Sequence, residues 1–133
     1  MAVQLSVAVR NARLDAIETT IGATAVLKIR SGSVPADCAT ADAGTVLATL
    51  TLPSDWMAAA SSGSKAKSGT WQDTTADATG TAAHFRIYDS GGTVCGLQGT
   101  VGVGSGDLQV DSVSFTAGQS FSITGFTLTD ANA

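Results

Sequence analysis

The chain has 133 residues, a formal net charge of −4 and only 14% charged residues, and its aromatic share is 5%. One domain of this length can bury a stable core without metal or other staples, here built mainly from Val, Leu, Ile and Ala. The seven basic residues, Arg10, Arg13, Lys28, Arg30, Lys65, Lys67 and Arg86, form no stripe, which argues against nucleic acid as a partner. No apolar run approaches the roughly 18 residues of a membrane span.

The first element is a helix over Ser6 to Ile21. Ser6 is placed to cap it, Val7, Leu14, Ile17 and Ile21 share one face, and Gly22 stands where a C-terminal cap is wanted. Arg10, Arg13, Asp15 and Glu18 are expected mostly away from that face, and Ala2 to Leu5 precede the helix as an arm. No charged segment followed by an apolar one opens the chain, so a signal peptide is not expected and synthesis in a cytoplasm is.

After Gly22 the period changes from helix to strand. Thr24 to Ser31 alternates, with Ala25, Leu27 and Ile29 on one face and Lys28 and Arg30 on the other. Ser31 to Gly44 reads as a loop, and Thr45 to Leu52 as a strand with Val46, Ala48, Leu50 and Leu52 on one side, ended by Pro53. Ser54 to Ala60 is expected to form a short helical turn with Trp56 and Met57 plugging the core. Ser61 to Ser68 is expected to be an exposed loop or edge strand carrying Lys65 and Lys67.

Gly69 to Gln72 is a further strand and Asp73 to Thr79 a loop. Thr81 to Tyr88 is a strand whose faces are Ala83, Phe85 and Ile87 against His84, Arg86 and Tyr88. Asp89-Ser90-Gly91-Gly92 forms a hairpin turn into the strand Thr93 to Val101. Gly102 to Gly106 is a flexible link. Leu108 to Val113 and Ser120 to Thr129 complete the set, with a turn at Ala117-Gly118-Gln119 and a bulge at Gly125. One helix followed by seven or eight short strands predicts a mainly β protein, an antiparallel β-sandwich or jelly roll. Residues 1–22 form the arm and helix, and 23–133 the β domain.

Catalytic equipment is sparse. His84 is the only histidine; a triad with Asp89 or Asp111 and a serine is conceivable, but no G-x-S-x-G elbow occurs, and packing or interface hydrogen bonding is the simpler role. Cys38 and Cys95 are the only cysteines and do not make a zinc site; they either form a disulfide or are small buried residues. Asp37, Asp42, Asp73, Asp77, Asp89, Asp107 and Asp111 fall in or near turns without the ordering of a calcium loop. GVGSG at 102–106 is not a phosphate loop. No catalytic residue, metal or cofactor is expected. Trp56, Trp71 and Tyr88 offer at most a weak sugar-stacking platform.

The succession AVRNARLDAIETTIG (8–22), AVLKIRSGSVP (25–35), GTVLATLTLPSDWM (44–57), SGTWQDTTADATGTAAHFRIYDSGGTVCGLQGTVG (68–102) and GDLQVDSVSFTAGQSFSITGFTLT (106–129) resembles small virion proteins of tailed bacteriophages. That resemblance implies a place in the virus particle and, within it, a capsid cement or decoration protein that bridges capsomers as a dimer or trimer on the major capsid protein. A tail tip, fibre or host-adhesion module is the alternative. Val3, Leu5, Arg10, Arg13, Lys65, Lys67, His84 and Arg86 are the residues expected at such interfaces.

Overall fold

The computed structural model of the protein describes residues 3–130. Ser6 caps the helix as expected, its Oγ accepting from the Val9 N–H at 3.3 Å, and α1 runs Val7–Ile21. Gly22 closes it with φ +100°, a value that glycine adopts without a Cβ penalty, and its N–H donates to the Glu18 carbonyl.

Ten strands follow: β1 Val26–Arg30, β2 Val46–Thr51, β3 Ser64–Ala66, β4 Gln72–Asp73, β5 Gly80–Thr81, β6 His84–Tyr88, β7 Cys95–Gly102, β8 Leu108–Val110, β9 Ser114–Phe115 and β10 Phe121–Thr129. The protein is mainly β, as its patterning predicts. The principal sheet runs β2-β1-β6-β7-β8-β10-β3, curls on itself, and carries β4 as a second partner of β10; β5 and β9 form a separate pair. Pairing is antiparallel except for β7 with β8, so the expected all-antiparallel sandwich is replaced in part by one mixed, curled sheet. The parallel pair is made locally. Residues 103–107 loop back so that Val101 lies opposite Leu108, and Asp107 ties the loop down by accepting from the Thr100 N–H at 2.9 Å and its hydroxyl at 3.0 Å.

The concave side of the sheet is the core. Leu27, Ile29, Leu47, Leu50, Trp56, Trp71, Phe85, Ile87, Phe121 and Phe126 are all buried there. Trp56, Trp71, Phe126 and Phe85 run through it as a chain of rings, at centroid distances of 6.1, 5.6 and 5.6 Å, the last pair edge-on. Leu47, outside the expected alternation, is inside because β1 pairs Ile29 with Ala48 and Arg30 with Val46; the slip at Leu47 turns two successive residues inward. The bulge at Gly125 is present, as a register shift between Ile123 and Gly125.

Three local expectations fail. Residues 54–60 form no helical turn; the backbone instead bridges Met57 to Lys67 alongside β3, while Trp56 and Met57 do plug the core. The strand expected over Leu108 to Val113 stops at Val110, and Ser114–Phe115 is a separate strand. Val7 is exposed, and Leu14 is the one buried residue of α1. The helix lies against β3 and β7, and what it turns inward is largely polar.

Candidate functional site

Two polar clusters account for most of the buried charge. The first ties α1 to the sheet. Lys65 on β3 is 3% exposed, not surface-lying, and its Nζ lies 2.8 Å from Asp15 Oδ1 and 3.0 Å from Glu18 Oε2 of the helix while also donating to the Ala58 carbonyl. Burial opposes the Lys65 ammonium, but the two carboxylates outweigh it and raise its pKa above the ordinary lysine value. The hydrogen bond from Lys65, with that from the Ala60 N–H, lowers the pKa of Asp15. Asn11 accepts from the Gly63 N–H, Arg10 donates to the Asp130 carbonyl, and Arg13 pairs with the Asp130 carboxylate at 3.2 Å. Helical charges expected to face outward are therefore the ones that seat the helix.

The second cluster lies on the convex face of β1, β6 and β7. Cross-strand register places Arg30, His84 and Thr100 in one row, Lys28, Arg86 and Gln98 in the next, and Val26, Tyr88 and Cys95 in a third. The alternation of β6 into an apolar and a polar face is as the sequence reads, yet every residue of β6 is buried. The cause is residues 31–45, which fold over the polar face as a strap. Asp42 is its anchor: Oδ1 accepts from Arg86 Nη1 at 2.8 Å and the Tyr88 hydroxyl at 2.7 Å, and Oδ2 accepts from Arg30 Nη2 at 3.1 Å. Arg86 Nη2 donates to the carbonyls of Asp37 and Thr40, Gln98 Nε2 donates to that of Pro35, and His84 Nδ1 donates to that of Gly32 at 2.7 Å. Cys38 of the strap is joined to Cys95 of β7 in a disulfide, with Cα atoms 5.3 Å apart.

Electrostatics follows from this geometry. Burial raises the Asp42 pKa, but the Tyr88 hydroxyl and the guanidinium groups of Arg30 and Arg86 outweigh it and leave it below the ordinary aspartate value. Burial, reinforced by Asp42, raises the Tyr88 pKa above that of a free phenol. His84 Nε2 and Arg30 Nε are buried without a protein hydrogen-bond partner.

The expected interface residues thus separate. Lys65, His84 and Arg86 are buried and hold the fold together rather than lying at the surface. Lys67 is half-buried, its Nζ 6.0 Å from the Trp71 ring. Arg10 is half-buried and Arg13 exposed, both occupied with Asp130. Val3 is 81% exposed and Leu5 half-buried; residues 1 and 2 of the expected arm lie outside the described residues. Trp56, Trp71 and Tyr88 are each at most 1% exposed, which removes the sugar-stacking platform.

The outer face of α1 is the surface that the sequence reading missed. Ala8, Val9, Ala12, Ala16, Thr19 and Thr20 share it, all exposed and none charged. Beside it a cleft of about 470 Å³ lies between the helix and the start of β7, lined by Ala16, Ile17, Ile21, Val94 and Gly96 with Arg13 and Asp89. Val94 is 62% exposed. Gly96 is the residue skipped in the β6–β7 register, and any Cβ there would collide with Ile21, so the bulge seats the helix end. The signal was present in the sequence: turning Arg10, Asp15 and Glu18 toward the sheet leaves an Ala/Val/Thr stripe outward, with the exposed Arg13 at its edge. Among the described residues no group of three or more His, Cys, Asp or Glu is arranged to hold a metal ion, and no helix is long and apolar enough to cross a membrane.

No protein-family profile, curated protein or solved structure matches this chain.

Proposed function

We propose that this chain is a non-enzymatic structural protein of a tailed-bacteriophage particle, acting on the capsid as a cement or decoration protein. The observation that carries the reading is the pairing of a spent polar interior with an outward helix face of Ala, Val and Thr, edged by Arg13. His84, Arg30, Arg86, Lys65 and Asp42 are all committed to fastening one part of the chain to another. What is offered outward is Val9, Ala12, Ala16 and Val94 beside an open apolar cleft, surface of the kind that packs against protein. Such contacts are individually weak, and symmetric repetition over a shell multiplies them. The resemblance of the sequence to small virion proteins of tailed bacteriophages supports the choice of a phage particle.

Copy number tests this. In purified virions separated into heads and tails, the protein is expected in heads at amounts comparable to the major capsid protein. A few copies confined to tails would replace cement with tail tip, fibre or adhesion module. Absence from both fractions would overturn the proposal.

A further inference from the structure

We infer that the strap docks before its cysteines are joined: the chain folds as a dithiol, and the Cys38–Cys95 bond is closed afterwards, on the folded molecule, by an external disulfide such as oxidised glutathione.

The argument rests on where the network grips. Arg86 Nη2 donates to the carbonyls of Asp37 and Thr40, which bracket Cys38 in sequence. Asp37 closes that turn from within, its Oδ1 accepting from the Thr40 N–H at 2.8 Å and hydroxyl at 2.9 Å. The segment bearing one sulfur is thus held by β6. The other sulfur is held by the same strand, because Cys95 pairs directly with Tyr88, whose hydroxyl donates to Asp42 of the strap. Gln98 to Pro35, His84 to Gly32 and the Ser31 N–H to the Thr45 carbonyl fix the rest of the strap. None of these contacts involves sulfur, and several are charge-assisted, the stronger class of hydrogen bond. With β6 gripping both partners, the two thiols face each other at high effective concentration whatever their oxidation state.

The sulfurs remain reachable. Both cysteines are partly exposed, Asp37, Ala39, Val94 and Gly96 on either side are exposed, and Cys95 lines the open cleft beside α1. The chemistry balances with glutathione disulfide as oxidant. One cysteine thiolate attacks it and releases one glutathione, leaving a mixed disulfide; the second cysteine thiolate attacks that bond and releases the other. Two protein thiols are oxidised, one glutathione disulfide is reduced to two thiols, and the two thiol protons pass to the released glutathiones. The inference does not depend on the proposed function: virion counting can fail while the order of docking and oxidation stands. If both hold, a chain made in a reducing cytoplasm is already folded there and is covalently locked after release.

The test uses the full chain. In the double variant Cys38→Ser/Cys95→Ser, hydrogen exchange at the Ser31, Thr40 and Thr45 amides is expected to stay slow, because their acceptors do not involve sulfur. Free exchange at those amides in an otherwise folded protein, or a double variant that does not fold, would overturn the inference. Native protein reduced with dithiothreitol, freed of reductant and given glutathione disulfide, is expected to close the bond without accumulating a mixed disulfide. A persistent mixed disulfide would overturn the inference. Asp42→Asn, and independently Gln98→Ala, should slow that closure, the former by about tenfold, since a charge-assisted contact is lost. Closure at the native rate in both would refute the positioning role of the network.

Discussion

Asp42 Oδ1 stands 2.8 Å from Arg86 Nη1, and the same carboxylate reaches Arg30 through its other oxygen, so one loop residue partners two buried guanidinium groups on adjacent strands. Arg30 and Arg86 are 7% and 2% exposed, and the charge of neither is matched by another carboxylate among the described ion pairs. Removing Asp42 leaves two buried cations short of a partner. Asp42→Ala should therefore destabilise the fold by about 3 kcal/mol, the low end of the range for broken buried pairs because Asp42 is itself partly open to solvent. Urea unfolding measures this. A change below about 0.5 kcal/mol would mean that Asp42 contributes no more than an exposed surface pair.

Acid should loosen the molecule at a defined place on the pH scale. Asp42 is held below its ordinary value of 3.8 despite burial, through Tyr88, Arg30 and Arg86; Asp15 is lowered by Lys65 and Asp37 by Thr40. A depressed folded-state pKa means that the unfolded chain binds the proton first. The stability that these carboxylates contribute is therefore complete above about pH 4 to 5 and is lost as pH falls through their lower folded values. The urea midpoint should hold from pH 7 to 5 and then drop, and Asp42→Asn should show a shallower drop than the native chain. A midpoint that stays flat from pH 5 to 2.5 would contradict the assignment.

How much of this was legible in the sequence depends on whether the cause was local. Ser6, Gly22, the 89–92 turn and the Gly125 bulge were readable because each answers a local backbone demand. The two-faced alternation of 84–88 was readable for the same reason. What covers the polar face was not: a loop rich in Ala, Asp and Gly looks solvent-borne until Asp42 is seen across from Arg30 and Arg86, 12 and 44 residues away. The Lys65 error has the same origin, since a lysine in a small polar segment is buried only because the helix brings Asp15 and Glu18 to it across 50 and 47 positions. The inward turn of Arg10, Asp15 and Glu18 hid the outward stripe, because amphipathic reasoning assumes that charge marks the solvent side.

Glycine separates two kinds of loop. Gly44 ends the strap at φ +76°, and a Cβ there would run into the Ser31 carbonyl, a backbone atom that cannot yield without moving β1. Gly104 has a similar φ of +65° but open space around it. Gly104→Ala should cost about 1 kcal/mol, the left-handed penalty alone, whereas Gly44→Ala should cost about 2 kcal/mol or more and raise exchange at the Ser31 and Thr45 amides. Equal costs for the two would show that the strap end accommodates a side chain.

The ring chain through the core provides the last measurement. Phe85 is 1% exposed, lies edge-on to Phe126 at 5.6 Å, and packs close to the backbone of Gly99, where an added Cβ would come within 2.9 Å of its ring. Phe85→Ala removes a ring from a site whose walls are two sheet strands and cannot readily collapse, so the loss should reach about 3–5 kcal/mol. Phe85→Leu keeps most of the volume and should cost appreciably less. Both are read from urea or thermal midpoints. A loss below about 1 kcal/mol for the alanine variant would mean that the curl of the sheet relaxes to fill the space, and that β6 is held by the strap on its convex side more than by the core on its concave one.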